Sequence, residues 1–401
     1  MPSSPRSDAQ PHVGRRSCPV CDSADHDDIL SLPQLPVLIN AQVDADAGGD
    51  VARGDIDLVV CLGCGHLFNR SFDETLLDYG ATYENSLHFS ASFRAFAARL
   101  ADRLVTAHDL RGGRVAELGS GPGHFLSMLC DAGVAEAFGF DPSYDPARLG
   151  APDHPSVSIS TDRFPDDGSL TVQLAFSQHV LEHLDDPVGA LAAQRAAVAP
   201  TAGVVYSEVP NGRLMVDRCA LWDLVYEHLS YFVPTSFAVS CRRAGLEVAS
   251  TGVAFGDQFL WCDATPGPVD PDARPAAAEV RVEVAAAHRF GRAATRRIEE
   301  AREELVGWAD RGPVIVWGAG SKGATYLNLV ANVAAIAGVV DINPRKFGCG
   351  VPGTDLVVSE PEEITRLRPR TVLAANPVYV DEITETIHRL GVDAAVRPLW
   401  S

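Results

Sequence analysis

The chain has 401 residues, 46% of them hydrophobic, which allows two to four domains with real cores. Its formal net charge of −20 opposes nucleic acid and anionic membrane surfaces, so an anionic substrate needs a local cluster of Arg or Lys. No run of apolar residues is long enough to span a bilayer and Met1-Pro2-Ser3-Ser4-Pro5-Arg6 has no apolar signal-peptide core, so the protein is read as cytoplasmic, with no membrane or nucleic-acid partner.

Residues 1–16, polar and containing Pro, Ser and Arg, are expected to be frayed. Four of the nine cysteines follow as Cys18-Pro19-Val20-Cys21 and Cys61-Leu62-Gly63-Cys64, with 39 residues between the pairs. Each C-x-x-C turn aims two thiolates at one point. Two such turns make a closed tetrahedral site of the structural Zn2+ type, with Cys18, Cys21, Cys61 and Cys64 as ligands. A redox C-x-x-C would open a helix after a strand, and Pro19 and the doubling argue against it. His66 is a spare ligand, read as a bystander. The other five cysteines are scattered, as reduced core thiols are. Strand-like runs such as 56–60 complete a zinc-binding domain over 1–78. Residues 79–110 read as helical, because Phe89, Phe93, Phe96, Leu100 and Leu104 recur at three- and four-residue spacing.

From 115 to about 263, strand candidates at 115–118, 137–140, 174–176 and 203–208 alternate with helical stretches, the mark of a parallel sheet covered by helices. The first strand runs into Glu117-Leu118-Gly119-Ser120-Gly121-Pro122-Gly123, and the second ends in Asp141. Glycines let the backbone approach a ligand, and a carboxylate at that place can accept both hydroxyls of a ribose. E-x-G-x-G-x-G is not the dinucleotide G-x-G-x-x-G, so the crevice suits S-adenosylmethionine (SAM) better than NAD. Glu117, Gly119, Gly121 and Asp141 are its expected contacts. Asp162 and Phe164 stand at the adenine end, and Gln178 at the end of the fourth strand.

His179-Val180-Leu181-Glu182-His183 spells H-x-x-E-H, an inverted zinc-protease signature. That reading is rejected because the segment follows the fourth strand of a SAM-type sheet. On a helix His179 and His183 share one face, and His179 is taken as a substrate contact or as part of a polar helix N-terminus. After the fifth strand comes Tyr226-Glu227-His228-Leu229-Ser230-Tyr231-Phe232, where a His beside a Glu can act as a base oriented by a carboxylate. Tyr226 is assigned to the substrate. The methyltransferase domain is set at 79–265. A Pro-rich break at 265–271 leads into one long helix over 276–310, a connector or a dimerisation element within a linker region 266–310, so both monomer and homodimer stand. Residues 311–401 restart the α/β rhythm with Pro313-Val314-Ile315-Val316-Trp317, the turn Gly318-Ala319-Gly320-Ser321-Lys322-Gly323 and a second strand ending in Asp341. Lys322, Arg345 and Lys346 are the cations available to an anionic substrate.

Taken together, the two cysteine pairs, the E-L-G-S-G-P-G turn, the V-L-E-H and E-H-L-S-Y-F segments and the C-terminal W-G-A-G-S-K-G with V-V-D-I-N-P-R-K-F-G resemble the SAM-dependent sugar C-methyltransferases with an N-terminal zinc-binding domain. The likeness spans almost the whole chain. It implies an α/β fold with a class I SAM methyltransferase Rossmann-like core, an N-terminal zinc-binding domain and a C-terminal Rossmann-like domain. It also implies a nucleotide-linked keto-deoxysugar as substrate, His228 as the base that forms an enolate, Glu227 as its partner, His183 near the enolate and Tyr83 in a lid. An O- or N-methyltransferase, a non-catalytic SAM-binding scaffold and an NAD(P)-dependent oxidoreductase using the C-terminal glycine turn are the alternatives, the last lacking the full fingerprint.

Overall fold

In a computed structural model of the chain, residues 15, 17–77, 83–330 and 333–400 are described. The segment expected to be frayed falls outside them apart from Arg15, and so does the boundary set at 78/79. The N-terminal unit is built on β1 (His26–Pro36), β2 (Arg53–Cys61) and β3 (Leu67–Asn69), all antiparallel. The run Ile-Asp-Leu-Val-Val inside β2 does not alternate with polar residues because both faces are covered. Ile56, Leu58 and Val60 face one apolar cluster, and Val59 faces another with the four cysteines. The helix expected over 79–110 is α1 (Ala91–Ala107), begun where the Ser90 side chain accepts the Phe93 N–H.

The middle unit alternates β4 (Arg114–Leu118), α2 (His124–Asp131), β5 (Glu136–Phe140), α3 (Pro146–Leu149), β6 (Val157–Ser160), β7 (Leu174–Gln178), α4 (Pro187–Val198), β8 (Val204–Pro210) and α5 (Gly212–Arg218). After β9 (Ser230–Tyr231) come α6 (Pro234–Arg243), β10 (Leu246–Ala254) and β11 (Phe259–Pro266). The sheet order is β10-β11-β8-β7-β4-β5-β6, with β11 antiparallel to both neighbours. This is the class I SAM methyltransferase sheet, doubly wound about β4, so its ligand crevice lies at the strand ends where β4 and β7 part. The two residues of β9 leave this sheet and pair with β3, making a four-stranded N-terminal sheet.

Helix α7 (Ala277–Ala309) begins where Glu279 reaches back to the Ala276 N–H at 2.8 Å. Along its first two-thirds Ala286, Ala287, Phe290, Ala294 and Ile298 pack into the N-terminal core, and in its last turns Ala301, Leu305 and Trp308 pack into the C-terminal core. The apolar stripe is thereby filled by the same chain, as a connector requires. The last unit contains β12 (Val314–Trp317), α8 (Ser321–Val330), β13 (Ile336–Val340), β14 (Val358–Ser359), α9 (Ile364–Leu367), β15 (Thr371–Ala374), α10 (Val380–Arg389) and β16 (Ala395–Pro398). Its strands are all parallel, in the order β14-β13-β12-β15-β16. No helix among the described residues is long and apolar enough to cross a membrane.

Gly291 is the point of closest approach between α7 and β1: a Cβ there would lie 2.2 Å from the Ile29 carbonyl oxygen. Gly291→Ala is expected to cost about 1–3 kcal/mol, as overpacking does, read as a lowered midpoint in thermal or urea unfolding.

Candidate functional site

The four cysteines of the paired turns are fully buried, and their sulfurs all lie within 4.8 Å of one another. Cys18 Sγ is 3.7 Å from Cys64 Sγ, and Cys21 Sγ is 3.5 Å from Cys61 Sγ. A tetrahedral zinc with bonds of about 2.3 Å needs ligand separations of about 3.8 Å, so this donor set fits the ion. The Val20 and Gly63 N–H groups point at Cys18 Sγ and Cys61 Sγ, as knuckle turns do. His66 stands outside this group, with Nδ1 3.1 Å from Ser236 Oγ and its ring between Phe68 and Phe232. Burial pushes its pKa down to about 3.

The glycine turn after β4 brings Glu117, Gly119, Gly121 and Asp141 together. Gly119, Gly121 and Gly123 all have positive φ, and a Cβ on Gly119 would meet Val180 at 2.4 Å. Asp141 Oδ2 accepts the Gly121 N–H at 2.7 Å, and Oδ1 accepts from Ser143 N–H and Oγ–H. Each carboxylate oxygen offers two acceptor positions, so Asp141 retains one on Oδ2 for a ribose hydroxyl. Glu117 is buried and its Oε2 has no hydrogen-bond partner among the described residues. Burial, then the Asp141 charge, raises its pKa well above the usual range. Asp162 is exposed, and Phe164 lies edge-on to Phe140. Gln178 donates to Glu208 at 3.3 Å.

Beside the crevice is a cavity of about 280 Å³ whose walls come from the middle unit, the 83–90 segment and the C-terminal unit, with Asn40 added from the N-terminal unit. His179, His183, Glu227, His228, Tyr83, Lys322 and Lys346 all line it. Three expectations change. First, His179 and His183 do not ride on an α-helix: His179 has φ +56 and His183 ends a one-turn 3-10 segment. They converge instead on the buried Glu182, at 3.7 and 3.9 Å. Second, the Glu227 carboxylate turns away from the neighbouring imidazole. It accepts the Ile39 N–H at 3.2 Å and the Tyr83 hydroxyl at 3.4 Å, and burial pushes its pKa up to about 8. Third, Tyr226 does not face the cavity. Its ring packs on Phe72 in the N-terminal core, and its hydroxyl accepts the Asp73 N–H at 2.9 Å.

His228 lies edge-on to His183, with ring centroids 4.9 Å apart, and its buried Nδ1 has no hydrogen-bond partner among the described residues. Burial, then His183, lowers its pKa to about 3, so the imidazole is neutral and its lone pair available. His183 Nδ1–H donates to the Glu227 carbonyl at 2.9 Å. His179 is drawn the other way: burial alone would lower it, but Glu182 and Glu208 lift it to about 9. Lys322 pairs with Asp223 at 2.8 Å, and Lys346 Nζ lies 3.3 Å from the Ala319 carbonyl.

The 83–90 segment is fastened on three sides. Arg148 donates to the Tyr83 carbonyl, Glu84 pairs with Arg345 and accepts from Asn343, and Ser90 donates to Glu382. Gln258 and Asn376 exchange two side-chain hydrogen bonds, at 2.7 and 3.1 Å, between the middle and C-terminal units. Sequence reading missed these long-range pairs, and no short motif announces them. Glu182 was legible only as one letter of the H-x-x-E-H signature.

Residues 89–251 match a family model for a methyltransferase domain, and residues 275–393 match one for a C-methyltransferase C-terminal domain. Two ubiquinone biosynthesis O-methyltransferases of Neisseria meningitidis, from serogroup C (strain 053442) and serogroup A (strain Z2491), are each 26% identical over 178 residues, 39% of this chain and 75% of theirs. Among solved structures, the 1,6-didemethyltoxoflavin-N1-methyltransferase of Burkholderia thailandensis is 17% identical over 44% of this chain and 82% of its own, with a TM-score of 0.34. The magnesium protoporphyrin IX methyltransferase of Synechocystis PCC 6803 is 14% identical over 47% and 91%, with a TM-score of 0.35. The middle unit is thus a SAM-dependent methyltransferase domain.

Asp141→Ala removes the acceptor at the end of β5. It is expected to weaken SAM binding by about 1.5–3 kcal/mol, on the order of ten- to hundredfold in Kd, measured by calorimetry.

Proposed function

We propose that the protein methylates a carbon next to the ketone of a nucleotide-linked deoxysugar, through an enolate formed by His228. The observation that carries this reading is the His228 imidazole, kept neutral by burial and with no hydrogen-bond partner for Nδ1 among the described residues, on a cavity walled jointly by the methyltransferase unit and the lysine-bearing turn of the C-terminal unit. The match of 275–393 to a C-methyltransferase C-terminal domain supports it.

A carbon alpha to a ketone is a poor nucleophile until deprotonated, and a positioned base contributes typically about 10²–10⁴-fold. His228 takes that proton. The ionised Glu182, close to His183 and within its electrostatic reach, compensates the imidazolium that results. Tyr83, whose hydroxyl donates to Glu227 at 3.4 Å, turns that one O–H from Glu227 to the enolate oxygen when the acceptor is in place. Glu117, the Gly119–Gly121 turn and Asp141 hold the cofactor, with Asp162, Phe164 and Gln178 bordering it. When bound, SAM supplies an electrophilic methyl group. The nucleotide diphosphate lies toward Lys322 and Lys346, the cations that this −20 chain brings to the cavity. His179 lines the acceptor side. The four-thiolate site holds a structural Zn2+, in a unit that fixes the catalytic segment through β3 and β9.

Without SAM, the protein in D₂O is expected to exchange the proton alpha to the ketone of its acceptor, and His228→Ala to slow exchange by about 10²-fold or more. NMR of the acceptor checks this. Methyl transfer without exchange would favour the O-methyl chemistry of the Neisseria relatives. Stripping the zinc is expected to lower the thermal midpoint and the exchange rate together, since the base is anchored on the zinc unit.

A further inference from the structure

Glu182 is 1% exposed, yet neither carboxylate oxygen has a hydrogen-bond partner among the described residues. His179, 3.7 Å away, is shared with Glu208 and compensates this charge only in part, so the buried carboxylate can take a further cation. Two imidazoles converge on it. His183 donates Nδ1–H to the Glu227 carbonyl, which leaves the Nε2 lone pair directed toward Glu182 Oε1, 3.9 Å away. That is the tautomer metal-bound histidines adopt, held by a carbonyl behind the ring. His228 adds a buried Nδ1 with no hydrogen-bond partner among the described residues. One ligand atom from each of Glu182, His183 and His228 lies within 4.8 Å of the others. Two imidazoles and one carboxylate are a donor set for zinc, cobalt, nickel or ferrous iron. Bonds of about 2.1 Å need ligand separations of about 3.4 Å, so Glu182 Oε1 and His183 Nε2, now 3.9 Å apart, draw slightly together on an ion.

The surrounding charges permit this. On the far side of Glu182, His179 is shared with Glu208 at 3.5 Å, so two carboxylates face one imidazole there. Of the two lysines that line the cavity, Lys322 is already paired with Asp223 and Lys346 donates to the Ala319 carbonyl.

We infer that Glu182, His183 and His228 form a second divalent transition-metal site, separate from the four thiolates, whose occupancy withdraws the His228 lone pair from the acceptor. The existence of the site stands on the three side chains alone; its inhibitory effect rests on the role proposed for His228.

Cobalt is the probe. Chelator-stripped full-length protein is titrated with Co2+. The thiolate site reports through intense sulfur-to-metal charge transfer, and the second site through weak visible bands without sulfur character. The wild-type chain is expected to take up two equivalents. Glu182→Gln and His183→Asn are each expected to lose the second while keeping the thiolate band, which also shows that they fold. A single equivalent in the wild type, or a second that survives both substitutions, overturns the site. In the same samples, alpha-proton exchange is expected to fall at least tenfold as the second equivalent binds. Binding with exchange unchanged overturns the inhibitory half. If the stripped protein shows no exchange at all, the base assignment fails while the stoichiometry still decides the site.

Discussion

The short ladder between β3 and β9 is the contact on which the site depends. Leu67 pairs with Tyr231 and Phe68 with Ser230, and the Asn69 N–H adds a bond to the Leu229 carbonyl at 2.8 Å. A segment of the methyltransferase unit is thereby sewn into the cysteine-bearing sheet. Tyr226, Leu229 and Tyr231 are drawn into the N-terminal core, and His228, between them, is left on the cavity. The turn that carries Cys61 and Cys64 joins β2 to β3. Whatever fixes that turn fixes β3, and through β3 the imidazole. A metal ion held by those four thiolates would act on the chemistry through position alone.

Around this seam the cavity separates its acids by environment. Glu227 accepts hydrogen bonds from neutral donors, and burial outweighs them and the Lys346 charge, driving it toward the protonated form. Glu182 is equally buried but lies among imidazoles; burial alone would raise it, and the histidines outweigh that and hold it ionised. One carboxyl therefore suits donation beside Tyr83, and the other suits charge compensation beside the histidines, a division typical of acid–base sites. Overall charge plays no part in this. The −20 of the chain is spread over its surface, whereas the site is governed by a few groups in a low-dielectric pocket.

Much of the fold was legible because it repeats a local grammar: a hydrophobic strand, a glycine turn, a helix, another strand ending in Asp. That grammar located β4, β5, β7 and β8 and the restart at β12. It could not find β9, since two residues carry no periodicity and the pairing partner lies some 160 positions away. It misplaced Tyr226 for the same reason: whether a residue of an extended segment faces core or cavity depends on a register that only the partner strand sets. Histidines at i and i+4 suggested a helical face, but the left-handed backbone at His179 ends that possibility. The cofactor turn was readable because positive φ at Gly119, Gly121 and Gly123 leaves a mark in composition. The Glu84–Arg345 and Gln258–Asn376 bridges leave none.

The most direct test of the account is the destination of the methyl group. The purified protein, SAM carrying a ¹³C-labelled methyl and a panel of nucleotide keto-sugars would be incubated together, and the product examined by NMR. The account predicts a labelled methyl bonded to the carbon beside the ketone, coupled to the sugar skeleton. A label on oxygen or nitrogen, or no transfer to any keto-sugar while another acceptor is methylated, would contradict it.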